Sequence, residues 1–392
     1  MKWLWKKDRS GAQQTEQIEI SEDRVKLRAV LFVITLLIAV GTFAYGMGSL
    51  FSSEPGMQEI TVLSTGKLNC GGEFTFYYYL GAGGVSATSE QKSVRALYSQ
   101  AAIDAYQLFN ADMEFEGCNN LWYINEHVNE EISVDPILYE ALSLLETSGA
   151  RYHYLAPIYP LYLSLFQCGY DQETLAYDPF INPDLRTFYS RTAQFANNPG
   201  DVAIELLGSN TVRLMISDDY LHFAQENGIT RFIDLFWLKN AFTADYIAGI
   251  LRENGYTRGT LISHDGFVRH LDDTPGAEFT FTLSRREGTT VSAWDTLRFS
   301  APVSIVYLRD YPLGTMDEDS YYVREDGAIR FPYIDTADGL CKSAIPDLAA
   351  SSAELGCAEI ALKIAPIYIA DTLDETALQT LAQEGISVYY QP

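Results

Sequence analysis

The sequence predicts a mixed α+β fold, preceded by one N-terminal transmembrane helix. Segments with strand-like alternation of apolar residues are interleaved with segments of helical spacing, and several strand segments follow one another as in hairpins. A charge-free apolar run occupies residues 29–53. With 47% apolar and 20% charged residues in a chain of 392, the composition is that of a globular protein.

The charge-free run contains a strongly apolar stretch, residues 30–44, and is long enough to cross a bilayer as a helix. Seven basic residues precede it, which by the positive-inside rule places the N-terminus in the cytoplasm. We therefore predict a single-pass cell-membrane protein with a cytoplasmic tail (1–28), a transmembrane helix (29–51) and an extracytoplasmic domain (52–392). A cleaved signal peptide is the alternative, but the preceding charged segment is long and no clear small-residue cleavage site follows.

The net charge of −25 is unevenly distributed along the chain. Residues 1–28 hold seven basic and five acidic residues, and the remaining 20 basic and 47 acidic residues give the rest a net charge of −27. Because so acidic a domain is repelled by nucleic acid and by anionic membrane, we expect no nucleic-acid partner. The five cysteines have no metal-site spacing, and scattered thiols are predicted rather than a disulfide framework.

Apolar spacing and capping residues predict four helices in the domain. The first begins near Ser89, and the second runs from its cap Asp135 to Gly149. The other two cover about residues 241–254 and 374–384. Strands are predicted where aromatic and β-branched residues alternate with polar ones. The strand segments are residues 73–80, 211–217, 260–263, 278–284 and 303–308.

Two further segments leave questions open. Residues 358–369 are interpreted as a strand, with a helical start as the alternative because their apolar residues also fit helical spacing. The segment EDGAIRFPYIDTADGL (325–340) is interpreted as a strand followed by a turn. Pro332 interrupts this strand, although a proline donates no backbone N–H and is confined to edges and bulges.

The segment 234–245, DLFWLKNAFTAD, resembles the pattern Asp-Leu-Gly-Gly-Ile-Ala-Lys-Gly-Tyr-Ala-Val-Asp of the FAD:protein FMN transferases, the ApbE-like family. Without a gap, the matching positions are Asp234, Leu235 and Asp245. Phe236 and Trp237 stand at the two glycines of the pattern, and Asn240 stands at its lysine.

The segment 325–340 resembles a second pattern of the same family, Asp-Gly-Lys-Arg-Tyr-x-His-Ile-Ile-Asp-Pro-x-Thr-Gly. The matching positions are Asp326, Gly327, Ile334, Asp335 and Gly339. Pro332 stands where the family has its histidine. Three shorter segments (NNLWYIN, LISHDGFV and CAEIALK) lie in the family's order around these two. They contribute Asn125, Gly266, and Glu359 with Lys363 at the family's metal-holding Asp and Thr.

The resemblance covers about residues 108–390 and implies a T-fold-type α+β domain. Members of the family cleave FAD and attach FMN to a threonine of a partner flavoprotein, with Mg²⁺. The cofactor-binding residues implied are Asn125, Asp234, Asp245, Gly266, Asp335, Gly339 and Lys363, and the implied metal ligand is Glu359. Asp335 is also the candidate catalytic carboxylate, with an Asx turn before Gly339 as the alternative.

Several substitutions remove groups that this chemistry requires. A proline cannot act as acid, base or phosphate donor, and bulk at 236–237 blocks the close backbone approach that glycines allow. Lys363 either replaces the metal as a point charge or extends from a strand into water. His264 and Asp265 form either a new acid/base pair or a turn. FAD remains the expected cofactor, whereas the substitutions argue against a Mg²⁺ site.

Three functional hypotheses follow. The first is a catalytically impaired family member that acts as a flavin-binding or interaction module at the membrane. The second is an active Mg²⁺-dependent FMN transferase that uses Glu359, Asp335 and Lys363. The third is a structural subunit of a membrane redox or transport assembly. The expected partners are the membrane, through the N-terminal helix, and a membrane-associated flavoprotein or redox complex. A pocket filled by Phe236 and Trp237 would favour the third hypothesis.

Overall fold

The computed structural model describes residues 53–63, 70, 72–82, 84–167, 174–314 and 317–391. The predicted cytoplasmic tail and transmembrane helix lie outside these residues. Within the described part of the chain, no helix is both long enough and apolar enough to cross a bilayer. Glu54–Pro392 forms one compact unit with its own apolar core.

Helices and strands are interleaved throughout this unit, as the sequence predicts. The described α-helices are α1 (Ala87–Leu108), α2 (Leu121–Glu126), α3 (Pro136–Ser148), α4 (Tyr159–Gln167), α5 (Pro183–Asn197), α6 (Asp218–Asn227), α7 (Lys239–Glu253), α8 (Cys357–Tyr368) and α9 (Glu375–Gln383). The described strands are β1 (Gly56–Glu59), β2 (Phe74–Leu80), β3 (Ile132–Ser133), β4 (Val202–Gly208), β5 (Thr211–Ile216), β6 (Gly259–Ser263), β7 (Phe267–His270), β8 (Phe279–Glu287), β9 (Thr290–Phe299), β10 (Val303–Arg309), β11 (Tyr322–Val323), β12 (Ile329–Arg330), β13 (Asp347–Ser352) and β14 (Ser387–Tyr389).

The main sheet has seven antiparallel strands in the order β1-β2-β6-β7-β10-β13-β14. Its inner strand β10 is buried along its whole length because both faces of the sheet are covered there. Val306 and Leu308 face the layer that contains α8. Val303 and Ile305 face the long β8–β9 hairpin, which covers the other side. A three-stranded sheet, β3-β5-β4, packs into the same core as the helices.

The predicted helix boundaries agree closely with the structure. Asp135 caps α3 by accepting from the Ile137 amide, and Gly149 ends it with a left-handed φ of 71°. The first helix begins slightly earlier than predicted, after the cap Ser86. Cys70, Cys118, Cys341 and Cys357 are free thiols, and Cys168 lies outside the described residues.

Two strand predictions were wrong. Residues 358–368 belong to helix α8 and Ile369 is its C-cap, so the helical alternative is correct, and the segment is apolar because most of α8 is buried against β10 and β13. The predicted strand around Pro332 is only the two-residue β12, which ends at Arg330. Pro332 therefore lies beyond the strand, where its missing N–H removes no ladder hydrogen bond.

The carboxylate of Asp245 joins three elements of the helical layer. From α7 it accepts hydrogen bonds from the amides of Cys357 and Ala358, both at 2.8 Å, at the N-terminus of α8. Arg269 on β7 pairs with the same carboxylate at 3.0 Å. The helix cap is Gly356, where a Cβ atom would lie 2.4 Å from Asp245 Oδ2. Glycine has no side chain, so Gly356 cannot cap the first amides of α8. Asp245 supplies the missing acceptor for two of these amides.

We expect Asp245→Ala to lower the free energy of unfolding by about 2–3 kcal/mol, because it removes two helix-terminal hydrogen bonds and the ion pair with Arg269. Urea unfolding followed by circular dichroism measures this loss. The matched control is Asp374→Ala, which removes the cap of α9 at the Ala377 amide and should cost only about 1 kcal/mol. Equal losses in the two variants would contradict the proposed role of Asp245.

Candidate functional site

A cavity of about 680 Å³ lies where the segments that carry the family resemblance meet. This volume is within the usual range of roughly 300–1,000 Å³ for small-molecule sites. The lining residues contributed by those segments are Asp234, Phe236, Trp237, Lys239, Asn240, His264, Asp265, Phe267, Pro332 and Tyr333. The cavity is open, so Phe236 and Trp237 do not fill it.

Asn125 holds the loop that leads into the cavity. Its Oδ1 accepts from the amides of Phe232 and Ile233 at 2.8 and 3.0 Å, and its Nδ2 donates to the Ile233 carbonyl at 2.9 Å. The side chain is 5% exposed and does not line the cavity. Asn125 therefore supports the wall behind Asp234 instead of facing the cavity.

Asp234 and Arg231 form an ion pair on this wall. Arg231 Nη1 lies 2.8 Å from Asp234 Oδ2, and the same guanidinium also contacts Asp112. The other oxygen of Asp234 accepts from the Phe236 amide at 2.9 Å. Burial raises the pKa of Asp234, and Arg231 offsets part of that rise. Of these contributors, the sequence prediction contained only Asp234, because no motif marks Arg231 or Asp112.

Phe236 and Trp237 form an aromatic wall. Phe236 has a left-handed φ of 49°, the conformation that glycine adopts without strain and a bulky residue rarely adopts. Its ring stacks on Tyr159 with 4.1 Å between centroids. Trp237 is 6% exposed and packs edge-on against Tyr152 and Tyr333. The backbone therefore retains a glycine-like turn, while the side chains pack against the neighbouring aromatic residues.

Asp265 is a partly buried carboxyl group of the cavity lining, in the turn between β6 and β7. Ser263 Oγ donates to its Oδ1 at 2.5 Å, and Asn240 Nδ2 donates to its Oδ2 at 2.9 Å. Burial raises the pKa of Asp265 to about 6, although both hydrogen bonds oppose the rise. Lys239 pairs with Glu73 at 3.6 Å on the same cavity.

Six of the seven predicted cofactor-binding residues lie outside the cavity lining; they are Asn125, Asp245, Gly266, Asp335, Gly339 and Lys363. Asp335 makes an Asx-type turn, because its Oδ1 accepts from the Ala337 amide at 2.8 Å. Its Oδ2 accepts from Lys342 Nζ at 2.9 Å. Gly339 has a φ of 77°, and a Cβ atom there would lie 2.8 Å from the Tyr189 carbonyl oxygen. These contacts account for Asp335 and Gly339 as residues of a tight turn.

Gly266 also has a structural reason to be glycine. Its φ is 104°, and a Cβ atom would lie 2.3 Å from the carbonyl oxygen of Tyr307. The Tyr307 amide donates to the Gly266 carbonyl at 2.9 Å. Gly266 therefore lets β10 approach the turn that presents His264 and Asp265 to the cavity.

Glu359 and Lys363 lie on α8 and do not line the cavity. Lys363 Nζ lies 2.7 Å from Glu384 and 3.9 Å from Glu359. Lys363 thus extends from a helix, not from a strand, and pairs with carboxylates. In the part of the chain that the structure describes, no group of three or more His, Cys, Asp or Glu side chains is arranged to hold a metal ion.

Comparison with solved structures shows that the chain has the fold of the ApbE flavin transferases. The ApbE protein of Thermotoga maritima matches with a TM-score of 0.58 and 11% identity, over 86% of this chain and 93% of that chain. The flavin transferase ApbE of Vibrio cholerae matches with a TM-score of 0.55 and 12% identity, over the same two shares. No protein-family model and no curated protein matches the chain. The predicted ApbE-like α+β fold is confirmed.

We expect Gly266→Ala to destabilise the domain by about 2 kcal/mol or more, because the new methyl group would collide with the Tyr307 carbonyl. The matched control is Gly276→Ala, where φ is 86° but no atom lies within 4 Å of the added Cβ. This control substitution should lower the free energy of unfolding by about 1 kcal/mol, because only the left-handed φ is unfavourable there. Thermal unfolding of both variants separates crowding from backbone strain. Equal effects would show that the approach of β10 is unimportant.

The raised pKa of Asp265 predicts a pH-dependent stability. Because the pKa is about 6 in the folded protein and roughly 3.9 in an unfolded chain, the folded state binds this proton more tightly. Ionised Asp265 therefore costs stability above pH 6, and the cost disappears as the pH falls from 6 towards 4. We expect Asp265→Asn to raise the free energy of unfolding by about 1–2 kcal/mol at pH 8 and to change it little at pH 4. A gain of the same size at both pH values, measured by urea unfolding, would contradict this.

Proposed function

We propose that the domain binds a flavin nucleotide in the cavity and is impaired as an FMN transferase. The observation that carries this proposal is the open cavity itself, which is lined by three of the segments that resemble the family. The ApbE-like fold supports the flavin as the ligand class. A filled cavity would have favoured a purely structural subunit.

The lining has the two kinds of group that a flavin nucleotide requires. Phe236 is partly exposed and offers aromatic surface to an isoalloxazine ring, with the buried rings of Trp237 and Tyr333 behind it. Arg231 and Lys239 are cations on the same lining, and an ammonium or guanidinium group can bind a phosphate. FAD, when bound, would supply the phosphoanhydride bond whose cleavage releases FMN. The residues of this chain would orient the ring and present to the phosphates two cations that are also paired with carboxylates.

The loss of catalytic groups supports impairment. Pro332 lines the cavity at the position of the family's histidine and carries no titratable group. Asn240, at the position of the family's lysine, is hydrogen-bonded to Asp265. A Mg²⁺ site at Glu359 fits poorly, because the Lys363 ammonium lies 3.9 Å from this carboxylate and competes with a cation. We therefore assign no step to a metal ion.

An active transferase is the second candidate, and Asp265 favours it. A carboxyl group with a pKa of about 6 on the cavity wall could accept the proton of an attacking threonine hydroxyl near neutral pH. In that case Asp265 would replace the base that the family motif lacks here. The hydroxyl would come from the partner flavoprotein.

Membrane anchoring is part of the proposal. Residues 29–51 would anchor the chain, with the domain outside the cytoplasm and the N-terminus inside, as the charge distribution around this segment supports. The partner would be a membrane-associated flavoprotein or a redox complex, since these are the proteins to which a flavin could be passed. The third hypothesis, a subunit without flavin, predicts the same location but no flavin binding.

We expect Lys239→Gln to weaken FAD binding about fivefold, since it removes a cavity cation worth about 1 kcal/mol. The matched control is Lys363→Gln on α8, which should leave the affinity unchanged. Flavin fluorescence anisotropy with the purified unit 54–392, with and without Mg²⁺, measures both. A weaker affinity of the Lys363 variant alone would support the cofactor-binding role that the sequence predicts for Lys363.

Experiments on the unsubstituted protein distinguish the three functional hypotheses. If FAD does not bind at micromolar protein, the structural subunit becomes the best hypothesis. If a threonine-containing flavoprotein acquires covalent flavin on incubation with FAD and Mg²⁺, the chain is an active transferase. In that event, loss of labelling in Asp265→Asn would identify its base.

A further inference from the structure

The outer face of the β1–β2 ladder is apolar and uncovered. Met57, Tyr77 and Tyr79 are 54%, 39% and 44% exposed. Met57 lies directly opposite Tyr79 in the antiparallel register, so their side chains share one face. Tyr77 lies two residues along the same strand and therefore on that face as well. We call these three residues the tyrosine face.

The rest of this side of the sheet is covered. Phe279 of the β8–β9 hairpin stacks on His270, and the hairpin also packs against Val268 and Ile305. The hairpin does not extend over the tyrosine face. Five of the ten large hydrophobic side chains that the described residues expose fall between residues 57 and 85, so exposed apolar surface is concentrated at this end of the chain. They are Met57, Leu63, Tyr77, Tyr79 and Val85.

Strand β1, which carries Met57 of the tyrosine face, follows directly after the predicted transmembrane helix. Four residues, 52–55, separate the end of that segment from β1. At no more than about 3.6 Å per residue, this connector spans roughly 15 Å. The polar headgroup layer is itself several ångströms thick. If residues 29–51 span the bilayer as proposed, the length of this connector limits how far β1 can lie from the lipid surface.

We infer that the tyrosine face docks on the zwitterionic headgroup layer of the membrane that anchors the chain. Tyrosine suits this layer because its ring is apolar and its hydroxyl is polar. The acidic domain is repelled by anionic lipid, which is why we infer a zwitterionic surface. On the tyrosine face itself, the β1–β2 register places one charged residue, Glu59, opposite Tyr77. The connector raises the effective concentration of the tyrosine face at the membrane, so contacts from a few side chains suffice for docking.

Docking would leave the cavity accessible. Glu73 lines the cavity just before β2 begins, whereas Tyr79 lies at the far end of the same strand. The contact would restrict rotation of the domain on its connector and keep the cavity available to a partner in the same membrane. This inference rests on the membrane anchoring proposed above and not on flavin binding.

The test uses the full chain in phosphatidylcholine nanodiscs, with Cys118→Ser and Cys168→Ser to remove background labelling. An environment-sensitive fluorophore is attached at Met57→Cys, and a control fluorophore is attached at Leu207→Cys, an exposed position on β4. We expect a blue-shifted emission that nitroxide lipid quenches at least twofold at position 57 and not at position 207. Tyr77→Ser with Tyr79→Ser should abolish the shift while the chain stays in the disc.

Three outcomes overturn the inference. A fluorophore at position 57 that emits as in water, in a chain retained by the disc, excludes docking but leaves the anchor intact. A chain that fails to co-elute with the discs refutes the anchor and docking together. If the fluorophore at position 57 of the unit 54–392 is blue-shifted in the absence of lipid, and the unit forms a dimer, the tyrosine face contacts a second copy of the chain. Flavin binding is measured separately and is unaffected by these results.

Discussion

The carboxylate of Asp245 is the interaction on which the helical layer depends. It caps the N-terminus of α8 from α7 and also pairs with Arg269 of the central sheet. Gly356 leaves the room for this contact, because any side chain there would meet the carboxylate. One ionisable group therefore ties two helices to the sheet, and α7 brings Lys239 and Asn240 to the cavity at its own N-terminus.

The residues that shape the cavity wall and the residues that face the cavity have separate roles. Asn125 and Asp234 organise the entering loop through backbone amides, which needs hydrogen bonding but no reactive group. The groups that face the cavity include Pro332 and Trp237, neither of which carries an acid or a base. Binding and catalysis make separate demands, since a ring and a phosphate can be held without an acid, base or metal. This separation is the physical basis for proposing a flavin-binding module.

Phe236 illustrates how such a change is accommodated. The chain keeps a left-handed φ at this position, which costs about 1–2 kcal/mol for a residue with a Cβ atom. Stacking on Tyr159, and the burial of the adjacent Trp237, offset that cost. The side chains of Phe236 and Trp237 therefore pack within the aromatic wall, and the cavity stays open. The substitution alone predicted obstruction, because the sequence does not show where a side chain will pack.

The sequence by itself determined the α+β class, the ApbE-like fold and the approximate bounds of four of the nine described helices, because caps such as Asp135 and left-handed glycines such as Gly149 act over a few neighbouring residues. It also identified the segments that meet at the cavity. Only the tertiary structure decided which residues of those segments face it. Asp335 and Gly339 pack into a turn, Lys363 pairs with Glu384, and Arg231 joins the wall without any motif. These outcomes depend on contacts between residues far apart in the chain, which spacing and propensity along the sequence do not encode.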